Sequence, residues 1–207
     1  MPRVAYSRQD RQNVKESLQA AALELVATHG VRATTVEQIY KRAGISRTFF
    51  YSFYSCKEDL VVEAMYMQQP RVLKKARDFM EKNGKCWREK VMEFFLWCCT
   101  GEKNNIFVMS IEEQQIIFSR LSHSGLDLFR EKQYELFDSL LEILGVRRTR
   151  DRVNIFINLL MSVIVIKKGV PGSIPLLVDE YSDKSTEIQL EGITDFLERC
   201  RKQDKTA

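Results

Sequence analysis

The sequence predicts an all-α protein, and three observations predict it. Its 207 residues hold only nine glycines and four prolines, too little punctuation for a strand-and-turn architecture. Apolar residues recur at spacings of three and four along nearly the whole chain. Hydroxyl residues followed three places later by Gln or Glu, a helix-start signature, stand at Thr35 with Gln38 and at Ser55 with Glu58. A composition of 44% hydrophobic and 29% charged residues is that of a folded domain with a substantial core.

The elements follow in order. Val14, Leu18, Ala22 and Leu25 mark a first helix that Gly30 stops. A short helix runs from Thr35 to Ala43 and ends at Gly44; Ser46 caps a second through about Phe53. A long helix starts at Ser55 and heads for Asn83 and Gly84, with a kink or break at Pro70, which removes a backbone bond and clashes with the preceding turn. Lys85 to Thr100 places Trp87, Val91, Phe94 and Cys98 on one face. Helices are predicted from Asn105 to Leu121 and from Gly125 to Leu144, the latter closed by Gly145. Thr149 to Lys168 is apolar on nearly every face, so it sits at the centre or under a second subunit. Gly169 to Pro175 breaks the helix; Ser185 to Arg201 forms the last one, with Gly192 permitting close approach of a neighbour, and the polar tail from Lys202 frays. The most apolar run, Ile155 to Ile166, contains Asn158 and Ser162 and falls short of the ~20 residues a bilayer demands, so no membrane partner is expected.

Charge is unevenly placed. Residues 1–57 carry nine Lys/Arg against four acids, while the remainder is nearly neutral. A basic head on a neutral body points to a polyanion at one end. The five cysteines are odd in number, none in C-x-x-C spacing, and no apolar leader opens the chain, which reads as reduced thiols in a cytoplasmic protein. His29 and His123 stand apart from any cluster of metal-ligating spacing, no glycine-rich phosphate loop occurs, and no Ser-His-Asp set can be assembled. No metal, no cofactor and no catalysis are expected.

Thr34 to Lys57 carries the functional signal. Two short capped helices joined by a tight turn at Ala43-Gly44-Ile45, followed at once by a long helix, make a helix-turn-helix. With Val36, Ile39, Ala43, Phe50 and Tyr54 turned inward, Arg47, Thr48, Phe49, Tyr51 and Ser52 face out. Arg47, early in the second helix, has the fork to pair with guanine O6 and N7. Thr48 and Ser52 reach a base or phosphate, Phe49 packs on a thymine methyl, and Tyr51 and Lys57 meet phosphate. Thr35 and Ser46 stand at helix N-termini, where backbone N–H groups suit an anion. The leader arginines Arg3, Arg8 and Arg11 follow the DNA backbone or enter the minor groove.

Over about residues 10–60 the chain resembles the DNA-binding domain of the tetracycline-repressor (TetR) family. The matching residues are Thr34-Thr35, Ile39, Ala43-Gly44-Ile45-Ser46, Phe50-Tyr51, Tyr54 and Lys57-Glu58-Asp59-Leu60. It departs at Phe53, where the family carries a histidine, at Cys56 (serine), at Thr48-Phe49 (Gly-Thr) and at Tyr40 (alanine).

The resemblance implies a DNA-binding head, residues 1–56, and an effector-binding and dimerisation body, residues 57–207. It implies a homodimeric repressor that leaves a pseudo-palindromic double-stranded operator when a small effector binds. Body aromatics and their neighbours, Tyr66, Phe94, Trp97, Cys98, Phe107, Phe118, Phe129 and Phe137, are candidates for a mostly apolar effector pocket. Phe156, Leu160, Val163, Leu190, Ile193 and Leu197 are candidates for a four-helix dimer interface. Two alternatives stand beside this reading: a thiol-based redox regulator working through Cys56, at the first turn of a helix, and a helical protein-interaction module that never meets DNA.

Overall fold

The computed structural model describes residues 7–100, 106–173 and 177–206, and over 169–173 the backbone alone. Arg3 and the expected helix start at Asn105 lie outside the described residues. Ten helices are present among them: α1 Arg8–Ala33, α2 Val36–Arg42, α3 Arg47–Phe50, α4 Lys57–Tyr66, α5 Gln69–Met80, α6 Trp87–Cys99, α7 Ile111–Arg120, α8 His123–Ile143, α9 Arg150–Ser173 and α10 Ser182–Thr206. A 3-10 turn, Asp179–Tyr181, precedes α10. No strand occurs among the described residues, in agreement with the all-α expectation.

The chain divides into two compact units, one of residues up to Met67 with Glu112–Phe129, the other of Gln68–Ile111 with the chain from Arg130 onward.

In the first unit, α1 opens on a capping box in which Ser7 Oγ accepts the Asp10 amide and Asp10 accepts the Ser7 amide. Gly30, at φ 76°, interrupts the helix where the sequence places a stop. Leu18, Ala21 and Ala22 of α1 pack with Ile39 of α2, Phe50 of α3, Tyr54, and Leu60 and Ala64 of α4. Phe50 is wholly buried, and truncating it to alanine costs ~3–5 kcal/mol on the scale of such cavities. One cap differs from expectation. Cys56, not Ser55, is the N-cap of α4, and Ser55 Oγ instead donates to Asp59 Oδ2 at 2.6 Å. The aspartate one turn on competes for that hydroxyl, so no capping box forms. The helix ends at Tyr66 and α5 begins at Gln69 with Pro70 in its first turn, the break expected there.

In the second unit, α6 contributes Val91, Phe94 and Phe95 to a core shared with Phe137, Leu140, Leu141 and Leu144 of α8, Val153, Phe156, Leu160 and Val163 of α9, and Leu190, Ile193, Leu197 and Cys200 of α10. This corrects the candidate interface. Phe156, Leu160, Val163, Leu190, Ile193 and Leu197 are all buried inside the chain itself. A helix apolar all round has two greasy faces, and periodicity alone does not say which one meets its own core.

Three boundaries also differ. Residues 106–110 are not helical, and α7 starts only at Ile111. The Gln68 side chain takes both backbone groups of Phe107, accepting from its N at 2.6 Å and donating to its O at 3.2 Å, and Lys168 donates to the Val108 carbonyl. Those bonds replace the helical ones. Helix α9 runs on to Ser173, because one proline near a helix end removes a single backbone bond and leaves the last turn possible. Helix α10 continues to Thr206 instead of fraying. Asp204 accepts from the Arg147 amide at 2.8 Å and from Arg152 Nη1 at 2.7 Å, which pins the tail.

Candidate nucleic-acid interface

The site is built on α2, a tight turn and α3. Thr35 Oγ1 accepts the Gln38 amide at 3.2 Å while Gln38 Oε1 accepts the Thr35 amide at 2.8 Å. Ser46 Oγ accepts the Phe49 amide at 3.2 Å. Between these caps the Ile45 amide donates to the Tyr40 carbonyl and the Gly44 amide to that of Lys41, with Gly44 at φ 70°. That pair of bonds closes a helix with a left-handed residue, which a side chain at this position resists. The turn therefore fixes the angle at which α3 leaves α2.

Arg47, Thr48, Tyr51 and Ser52 are exposed, as predicted. The Ser52 hydroxyl proton is already given to the Phe49 carbonyl at 2.7 Å, so toward a ligand it accepts. Phe49 is half-buried, its ring meeting Phe53 edge-on at 5.1 Å. Thr35 and Ser46 act first as caps.

The cations sort into two groups. Lys15, Lys41 and Arg42 are paired with Glu63, Glu37 and Glu24 at 2.5, 2.7 and 2.6 Å. Lys57 donates to the carbonyls of Val31 and Thr34 at 2.8 and 2.7 Å, and burial holds its ammonium below the ordinary lysine value. A phosphate could take only its remaining proton, so Lys57 chiefly ties the end of α1 to α4. Among the described residues, Arg8, Arg11, Arg32 and Arg47 make no ion pair. The Arg47 guanidinium lies 5.9 Å from the Tyr51 ring centroid, and Arg11 lies 4.7 Å from that of Phe53. The head thus neutralises some of its own cations and leaves others, on exposed positions of α1 and α3, open to an outside anion.

The candidate pocket residues fall in both units. In the first, Tyr66 donates its hydroxyl to the Phe129 carbonyl at 2.8 Å, and Phe118 meets Phe129 edge-on at 4.9 Å. In the second, Phe94 and Phe137 are core, Trp97 stacks on Phe94 at 6.2 Å, and Cys98 and Phe107 are half-buried. Sequence reasoning missed an open cleft of about 640 Å³ within the second unit, between α8 and α9, lined by Arg130, Gln133, Tyr134, Arg150, Asn154 and Asn158 among others. Most of the side chains that line it carry polar groups, so no apolar periodicity would have marked it.

Burial pushes the Cys56 thiol up, and Cys56 donates to the Arg120 carbonyl at 3.7 Å. Burial likewise raises Cys98 and takes Cys99 up to about 11. Among the described residues no group of three or more His, Cys, Asp or Glu could hold a metal ion.

Residues 18–64 match the family described as bacterial regulatory proteins, tetR family. No curated protein matches the sequence. Among solved structures, the fold resembles a TetR transcriptional regulator from Rhodococcus sp. RHA1, with 15% identity, a TM-score of 0.63, and coverage of 91% of this chain and 97% of that one. A second transcriptional regulator from the same organism has 15% identity and a TM-score of 0.57, over 88% of this chain and 95% of that one. A tetR-type regulator from Streptomyces avermitilis MA-4680 has 20% identity and a TM-score of 0.52, over 88% and 98%.

Proposed function

We propose that the chain is a member of the tetR family of bacterial regulatory proteins, whose description its residues 18–64 match, and that it is a homodimeric transcription repressor, released from a pseudo-palindromic operator by a small, mostly apolar effector. The observation that carries the reading is the exposed Arg47, which makes no ion pair among the described residues, on a capped α3 whose exit angle the Gly44 turn sets. In this reading α3 enters the major groove, Arg47 reads guanine, and Thr48, Phe49, Tyr51 and Ser52 complete the contact. Thr35, Ser46 and Lys57 hold the frame and approach phosphate through backbone N–H groups and one ammonium proton. Two copies of α3 meet half-sites about 34–36 Å apart.

Dimerisation uses the outer faces of α9 and α10. Ile155, Leu159 and Ile166 form a stripe along α9, and Ile188 stands exposed on α10; each is at least 38% exposed. A stripe at helical spacing that stays in water in the single chain is what a second copy would cover. The functional division is a DNA-binding head, 1–56, and an effector and dimer body, 57–207. The effector is bound by body aromatics such as Trp97 and Phe107, and it acts through its different affinity for the two head spacings. In this reading the protein works by binding and not by catalysis, in the cytoplasm. Separately, no described helix is long and apolar enough to cross a membrane.

The test is selection from a random duplex library at fixed salt, with the wild-type protein and with Arg47→Ala. The reading expects a two-fold-symmetric site from the wild type and its loss or relaxation in the variant. Binding that is weak, blind to sequence and steeply salt-dependent would overturn it.

A further inference from the structure

We propose that Arg11 is a DNA-phosphate contact, held ready for it by Phe53; this rests on the DNA-binding reading above. Arg11 is exposed in the first turn of α1 and makes no ion pair among the described residues. Its neighbour Asp10 is engaged with Ser7 and does not neutralise it. The guanidinium lies 4.7 Å from the centroid of the Phe53 ring. Phe53 is in turn met edge-on by Phe49 of α3, with 5.1 Å between ring centroids and 76° between planes. Phe49, Phe53 and Arg11 thus form one continuous relay from the candidate reading helix to a cation on a different helix.

A guanidinium resting on a ring keeps its N–H edges for other acceptors. The aromatic face takes none of those hydrogen-bonding protons, yet it limits where the side chain goes, so less rotamer freedom is lost when a phosphate arrives. A lysine in the same place would offer a hydrated point charge without that planar edge. Phe53 is the positioning residue and Arg11 the contact. Phe49 serves twice, as a candidate base contact and as the edge that steadies Phe53.

The experiment follows binding to duplexes that the wild-type protein recovers from a random library, by fluorescence anisotropy over a sodium chloride series. Each phosphate contact contributes about 0.9 to the slope of log affinity against log salt. Arg11→Gln is expected to weaken binding to every recovered duplex and to flatten the slope by about 1.8 for a dimer. Phe53→Ala should flatten it in the same direction, Phe53→Tyr should restore the wild-type slope, and Arg11→Gln should cost less in the Phe53→Ala background. Arg11→Gln leaves no core position empty, so it remains informative even if Phe53→Ala unfolds. An unchanged slope in Arg11→Gln, alongside loss of specific binding in Arg47→Ala, overturns the proposal and leaves the DNA-binding reading standing. Failure of the wild type to bind any duplex overturns both.

Discussion

The Asp59 carboxylate of α4 accepts the amide and the hydroxyl protons of Ser122, at 3.1 and 2.8 Å, and so ties the start of α4 to the entry of α8. Ser122 Oγ in turn accepts the Gly125 amide at 3.0 Å, which places the carboxylate where unsatisfied N–H groups of a helix start concentrate positive potential. Burial works to raise the Asp59 pKa, but hydrogen bonds from Ser55 and Ser122 outweigh it and leave it below the ordinary carboxylate value. A depressed carboxylate contributes stability that is fully present above its unfolded value and is lost as pH falls through the folded one. Asp59→Asn should therefore lose about 1 kcal/mol at neutral pH, and the two proteins should converge as pH falls through the folded Asp59 value, below which both carry a neutral group. Urea unfolding at graded pH checks this. Parallel curves for the two proteins across the acid limb would show that Asp59 carries no such role.

Gly125 sits where a Cβ would collide with Asp59 Oδ1 and approach Leu121 Cδ1 to 3.0 Å. Glycine to alanine inside a helix ordinarily gains up to ~1 kcal/mol. Here the methyl displaces the carboxylate from Ser122, so Gly125→Ala should lower the midpoint of thermal unfolding. In an Asp59→Ser background the same substitution should be close to neutral. Gly192 of α10 has nothing within 4 Å of its Cβ position and serves as the control, since alanine there should stabilise the isolated chain.

The outer faces of α9 and α10 give the dimer its test. Leu159→Glu and Ile188→Glu introduce charge at exposed positions and should leave the fold intact. Sedimentation equilibrium should then report the 24.2 kDa protomer instead of its pair. Leu160→Glu, one position away from the first of these, should unfold the chain, because that side chain is 1% exposed. A Leu159→Glu protein that remains dimeric would move the interface elsewhere.

Thiol chemistry separates a redox regulator from an effector-driven one. Cys86 is exposed, whereas burial raises the thiols of Cys56, Cys98 and Cys99 away from the reactive thiolate form. Iodoacetamide at neutral pH should modify Cys86 first and Cys56 far more slowly, and peroxide should leave DNA binding by the wild type as unchanged as binding by Cys56→Ser. Rapid labelling of Cys56, with loss of DNA binding, would restore the redox reading.

Much of the N-terminal third of the chain was legible in the sequence because its signals are local. The Thr35 and Ser46 caps, the Gly44 turn and the break before Pro70 each depend on residues within one turn of one another. What was not legible depends on partners far along the chain. Gln68 undoes the first turns expected of α7 by bonding Phe107, and Asp204 keeps α10 helical by reaching Arg147 and Arg152. Lys57 sits where a phosphate contact was expected, and only the fold brings Val31 and Thr34 carbonyls to it. The interface candidates failed for a different reason. Leu159 and Leu160 are chemically identical, and only the position of the neighbouring helices decides which one meets water.

The uncompensated arginines have a thermodynamic side that needs no operator. Arg8, Arg11, Arg32 and Arg47 make no ion pair among the described residues, so their like charges are only weakly offset within the head. A long polyanion of any sequence should offset those charges, and it should stabilise the head to the extent that it binds the native form more tightly than the unfolded one. Heparin should then raise the unfolding temperature of the first unit more than an equal ionic strength of sodium chloride does. By the same logic the folded head is least stable when no polyanion is bound to it.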